Sequence, residues 1–163
     1  MATGIGSSDV FLKVESARQG PIKGESQDES HKGEIDVFSW SWGMQAQTTI
    51  AGGAAGKATV NQLVVSKKID SASTALMAAM RNNEVIKKAV LTMRKAGSKQ
   101  HEFFKFTLQN GRITRLDFQA DAPGTPDYTE TLSIAFQKLS IEYVPQGVDG
   151  QPRGAMVFET EIT

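Results

Sequence analysis

The run from Thr129 to Tyr143, TETLSIAFQKLSIEY, limits the possible folds more than any other stretch of the chain. Leu132, Ile134 and Phe136 fall in one phase of a two-residue period, and Leu139, Ile141 and Tyr143 fall in the other. A strand alternates its side chains between two faces, so both sets share a face only if the strand bends or bulges near Gln137-Lys138. The run is also far longer than the usual strand of about 5–6 residues. A long strand that bends and changes phase turns a barrel corner or passes between two packed sheets.

Alternation recurs along the chain. In DVFLKVE, Val10, Leu12 and Val14 share a face, with Phe11, Lys13 and Glu15 on the other. EIDVFSWSWG sets Phe38, Trp40 and Trp42 on one side and Ser39 and Ser41 on the other, and ATVNQLVVSKKI is rich in β-branched residues. FFKFTLQNGRITRLDF reads as a hairpin turning at Asn110-Gly111, since that pair suits a type I′ turn. AMVFETEI, with Met156, Phe158 and Ile162, is a last strand.

One helix is predicted after a cap at Asp70 or Ser71, with Ala72, Ala75, Leu76, Ala79 and Met80 as its apolar stripe and Asn82-Asn83 as its stop. Val85 to Met93 fits either a helical face or a strand; its β-branched content and the alternation of Ala89, Leu91 and Met93 favour the strand. Gln45 to Lys57 and Asp121 to Asp127 read as loops. Residues 1–8 are expected to be a flexible N-terminus and 9–163 a single domain.

Eighteen basic and eighteen acidic side chains cancel, which argues against nucleic acid or an anionic membrane as the main partner. Cysteine is absent, so disulfides, thiolate nucleophiles and cysteine-ligated zinc are excluded. The N-terminus lacks the basic and apolar regions of a signal peptide, and no stretch approaches the roughly 20 apolar residues of a membrane helix.

Little of the chain suggests catalysis. AGGAAGKA resembles a phosphate loop but has Ala51 and Ala58 where that loop needs glycine and a hydroxyl, and a strand pattern follows it. His31 and His101 belong to no metal or nucleophile motif, and His31, within ESHKGE, reads as a solvated side chain. Carboxylates such as Asp127 and Glu130 could pair, but nothing in their order supplies the contrasting environments of an acid and a base. The basic side chains between Arg81 and Lys105 and the acidic ones between Asp117 and Glu142 fit either solvated strand edges or complementary surfaces on neighbouring copies. Phe38, Trp40 and Trp42 read as an aromatic ladder in the core, with an exposed sugar-binding platform as the rival reading.

Taken in order, IKGESQDESHKGEIDVFSWSWG, the glycine/alanine-rich loop after it, KKIDSASTALMAAM, VLTMRKAG and LSIEYVPQ resemble the haemolysin-coregulated protein (Hcp) family, the tube subunit of the type VI secretion system. The resemblance runs from about Asp9 to Ile162. It implies a mainly β fold, two antiparallel sheets forming a β-barrel with one α-helix packed on the side, and makes Val85–Lys95 a strand. It further implies homo-hexameric rings that stack into a hollow tube, a spike protein of the VgrG type, a contractile sheath and small effector proteins carried in the lumen. Synthesis in the bacterial cytoplasm and secretion without a signal peptide follow, with no catalysis, cofactor, metal, nucleic acid or membrane insertion. The family loop that reaches toward the next ring corresponds to Gln45–Lys57, with Gln45, Thr48, Thr49, Ile50, Gly52, Gly53 and Lys57 as stacking residues. Family forms with a fused toxin carry a long C-terminal extension, for which a chain ending at Thr163 is expected to have no room. Alternation places Ser39 and Ser41 on the lumen wall. The alternatives are a monomeric carbohydrate- or oligonucleotide-binding barrel using Trp40 and Trp42, and a hydrolase using carboxylates between Asp117 and Glu130.

Overall fold

The computed structural model describes residues 9–47, 56–95, 101–120, 128–147 and 153–162. In chain order the elements are β1 (Val10–Ser16), β2 (Gly20–Ile22), β3 (Ile35–Ser41), β4 (Met44–Gln45), β5 (Thr59–Val60), β6 (Leu63–Lys68), α1 (Ser73–Arg81), β7 (Ile86–Lys95), β8 (His101–Ala120), β9 (Tyr128–Tyr143) and β10 (Met156–Glu161). All described ladders are antiparallel. Strands β9, β6, β3, β1, β7 and β8 pair in that order, and β8 pairs back onto β9, which closes a six-stranded barrel. β2 extends from β1, β10 from β9, and β4 with β5 form a separate two-stranded sheet.

Closure depends on two long strands. β8 has 20 residues and β9 has 16, and they pair from Phe104↔Tyr143 to Ala120↔Tyr128. The other side of β9 is shared: β6 occupies Thr129 to Ile134, and β10 occupies Lys138 to Tyr143. The expected change of phase falls between these partners. Leu132 and Ile134 are buried on one phase and Leu139 on the other. No register shift accompanies it, since Gln109↔Lys138 and Gly111↔Phe136 belong to one continuous ladder. The two strands therefore bend together, and the bulge lies further on, between Ile113 and Arg115.

Asn110-Gly111 lies inside β8 and does not turn a hairpin. A type I′ turn needs positive φ at both central residues. Asn110 has φ 53°, but Gly111 is not among the positive-φ residues. The pair instead kinks the strand, and the buried positions pass from Phe106 and Leu108 to Gly111 and Ile113. Glycine is needed there for close approach: a Cβ on Gly111 would lie 2.5 Å from the Ala135 carbonyl oxygen.

Three other expectations change. ATVNQLVVSKKI divides at Asn61-Gln62 into β5 and β6. Helix α1 starts after Ala72, the Asp70 carboxylate accepting the Ala72 N–H just ahead of it, and Met80 is exposed, leaving Ala72, Leu76 and Ala79 as the buried stripe. Phe11 is buried on the side of β1 expected to face solvent. Val85 to Lys95 is the strand the resemblance implied, with β7 beginning at Ile86.

The barrel interior is apolar except below α1. Lys67 points inward from β6 and is fully buried. Its Nζ lies 2.7 Å from Glu130 Oε1 on β9 and 2.8 Å from Asp70 Oδ1. The Ser73 hydroxyl, in the first turn of α1, donates to Glu130 Oε1 at 2.6 Å. One buried ammonium thus ties the helix to two strands. A buried charge is tolerable only with such partners, so removing one partner costs far more than removing both. Lys67→Met should lower stability by about 3–5 kcal/mol, and Lys67→Met with Glu130→Leu should recover part of that. Chemical denaturation of the variants checks this; a single substitution costing less than about 1 kcal/mol would leave the network no structural role.

Candidate functional site

The outer faces of β3, β6 and β9 carry small hydroxyl side chains, and the second half of β8 adds Arg115 and Asp117 to the same face. A bulge between Val37 and Ser39 resets the alternation of β3. Ile35 and Val37 point into the barrel before it, and Trp40 and Trp42 pack against the core after it, which leaves Ser39 and Ser41 exposed outside. Ser39 pairs with Ser66, Ser66 with Thr131, and Thr131 with Asp117; in the adjacent row Ser41 pairs with Val64, Val64 with Ser133, and Ser133 with Arg115. Directly paired residues point to the same side of a sheet. Ser66, Thr131 and Ser133 therefore extend the face begun by the two serines, and the Ser66 and Thr131 hydroxyls lie 3.2 Å apart. No sequence pattern announced these three, because they reach this face only through strand pairing.

Phe38 is the unpaired extra residue of the bulge and is 54% exposed, so it does not belong to the core ladder. Trp40 and Trp42 meet Phe106 edge to face at centroid distances of 5.1 and 5.6 Å. The Trp42 indole also donates to the Asn61 carbonyl at 2.8 Å. Both indoles are thus half-buried and engaged with the protein, whereas a sugar platform presents free ring faces to solvent. Concavities of ≈ 360 Å³ beside Thr107, Lys138 and Glu159 and ≈ 350 Å³ beside Asn110, Arg112 and Phe136 include neither tryptophan.

Of the stacking-loop residues, Gln45 lies on β4 and Lys57 shortly before β5, both exposed. Thr48, Thr49, Ile50, Gly52 and Gly53 lie outside the described residues, as do residues 1–8 and Asp127. Glu130 is sealed in the barrel on Lys67, remote from any solvent-borne substrate. Asp117 is held by Arg115 at 2.6 Å, and Lys105 lies opposite Glu142 on the paired strand. Several charges that stand apart in sequence therefore answer one another within one chain.

His31 is buried, not solvated. Its ring stacks on Phe11 at 4.4 Å, with Nδ1 3.0 Å from Glu34 Oε1 and Nε2 2.7 Å from Glu102 Oε2. Arg94 covers the same phenyl ring at 5.0 Å and forms a double hydrogen bond with Asp28 at 2.8 and 2.9 Å. These contacts hold the segment between β2 and β3 against β1, β7 and the start of β8. The hydrogen bond from Arg94 is the main reason the Asp28 carboxyl is held below its usual pKa; burial opposes it, and the Ser30 N–H adds to the lowering. His101 is buried against the Val144 carbonyl at 2.7 Å. Among the described residues no group of three or more His, Cys, Asp or Glu side chains could hold a metal ion.

Residues 11–143 match the family described as type VI secretion system effector, Hcp. Protein hcp1 of Pseudomonas aeruginosa is 35% identical over 153 residues, covering 91% of each chain. A type VI secretion system effector from Yersinia pestis superposes with a TM-score of 0.75 at 28% identity, covering 94% of this chain and 100% of its own. The structure of a type six secretion system protein superposes with a TM-score of 0.82 over 93% of this chain and 95% of its own; at 23% identity it shows the fold alone.

The Arg94–Asp28 contact gives a pH signature. Because the folded carboxyl is held lower than in the unfolded chain, the contact stabilises above the unfolded value of about 3.9 and is lost as pH falls through the lowered folded value. Asp28→Asn should reduce the melting temperature at pH 7 and converge on the parent protein only as the pH falls through the lowered value of the Asp28 carboxyl. A gap between the two melting curves that stays constant with pH would refute this assignment.

Proposed function

The chain belongs to the Hcp family of the type VI secretion system, and on that footing we propose that it is the structural subunit of a secreted tube. Six copies close into a ring, and rings stack into a hollow cylinder that carries small effector proteins. A VgrG-type spike tips the cylinder and a contractile sheath drives it out of the cell. The protein is made in the cytoplasm and leaves without a cleaved signal; no helix among the described residues is long and apolar enough to cross a membrane. The subunit works by assembly and catalyses no reaction.

The observation that carries the reading is the hydroxyl face on a barrel whose indoles turn inward. Ser39, Ser41, Ser66 and Thr131 offer short, uncharged side chains that hydrogen-bond without gripping apolar surface. A wall of that kind can hold a polar cargo reversibly inside a channel. Stacking is assigned to the segment bearing Gln45, Thr48, Thr49, Ile50, Gly52, Gly53 and Lys57. The two-stranded β4–β5 sheet, separate from the barrel, flanks that segment in the chain.

Size exclusion with light scattering should return a ring-sized particle for the purified chain. Ser41→Arg should leave that particle intact while co-purification of a small effector falls by about tenfold, equivalent to losing about 1.4 kcal/mol of contact. Unchanged retention would remove Ser41 from the lumen wall, and a strict monomer at high concentration would defeat the tube reading.

A further inference from the structure

β10 presents a strongly apolar surface to solvent. Met156, Val157 and Phe158 are 64%, 56% and 45% exposed. As consecutive strand residues they point to both faces, so neither side of the strand is covered. β10 pairs with β9 along one edge, and its other edge pairs with no strand among the described residues. An apolar edge left open in water invites pairing with another chain.

A second open edge belongs to β8. Its ladder with β7 ends at Ile86↔Gly111, and from Arg112 to Ala120 its strand partner among the described residues is β9 alone. This edge also exposes an aromatic, Phe118. Since β8 occupies one side of β9 along its length, β10 must lie on the other. The two open edges are therefore on opposite flanks of the subunit.

Their charges are complementary. β10 carries Glu159 and Glu161; Glu161 lies opposite Lys138, whereas Glu159 lies opposite Ser140 and makes no ion pair among the described residues. The β8 edge carries Arg112, Arg115 and Asp117, a net positive charge. Arg112 donates through Nη1 to the Asn83 carbonyl and Arg115 through Nε to Asp117, so each guanidinium, with five N–H donors, keeps others available. Pairing β10 with a second β10 would instead bring like charges and like edges together.

We propose that β10 of one subunit docks along the Arg112–Ala120 edge of β8 in the next copy of this chain, Glu159 facing Arg115 and Phe158 covered with Phe118. The proposal rests on the ring reading and specifies which edges join. Because the two surfaces differ, each subunit uses one on either flank, and such a head-to-tail contact closes into a ring when the rotation between copies permits.

The chain has no cysteine, so introduced thiols are the only ones that react. Val157→Cys and Gln119→Cys both fall at exposed positions, and an unchanged melting temperature would show that each variant folds. Treated with a short bis-maleimide, the double variant should give a ladder of linked chains on denaturing gels, and neither single variant should. Linked dimers from Val157→Cys alone would mean that β10 meets β10 and would overturn the proposal. A ring-sized particle without a ladder would also overturn it while leaving the ring reading standing; a one-chain particle would defeat both. As a second measurement, Glu159→Arg should raise the concentration at which the particle dissociates by about tenfold, and adding Arg115→Glu should restore the parent value. Failure of that rescue would separate the two residues and refute their contact.

Discussion

The end-to-end pairing of β8 with β9, from Phe104↔Tyr143 to Ala120↔Tyr128, is the constraint from which the rest of the molecule follows. Each strand is long enough to serve two partners in succession, β7 and then an open edge for β8, β6 and then β10 for β9. Because both strands run on past Asn110 and Gln137 in one register, one ladder serves two sets of partners, and the barrel closes along it. Gly111 permits this: any side chain there would meet the Ala135 carbonyl. A bend shared by two paired strands preserves every backbone hydrogen bond that a break would have exposed.

Polar groups do two kinds of work on this frame. Inside, the Lys67–Glu130–Asp70–Ser73 cluster fixes the start of α1 to β6 and β9. The need for several simultaneous partners makes it directional, which apolar packing is not. Outside, the His31, Phe11 and Arg94 stack fastens the segment between β2 and β3.

Much of this was legible in the residues themselves. The phase change in Thr129–Tyr143 predicted a strand that bends, and Leu76 and Ala79 marked the inward side of the helix. The opposition of the two serines to the two tryptophans survived the bulge in β3, because both pairs lie beyond it. Phe38 was misplaced for the same reason: one extra residue reverses every side chain before it relative to those after it. Asn110-Gly111 misled because a dipeptide suited to a turn is equally suited to a kink, and only the neighbouring strands select between them.

The sequence by itself determined the class of the fold, the inward placing of Leu12, Val14, Leu76, Ala79, Leu132 and Ile134, the Ser39–Ser41 side of β3 and the resemblance to the family. These are local or periodic properties, carried by the spacing of side chains along one strand or helix. Only the tertiary structure decided that Ser66, Thr131 and Ser133 join those serines, that Lys67 and Glu130 share a buried contact, and that His31 is sealed between two carboxylates. Each joins residues far apart in the chain, and their distance is set by strand register and barrel closure, which no single segment encodes.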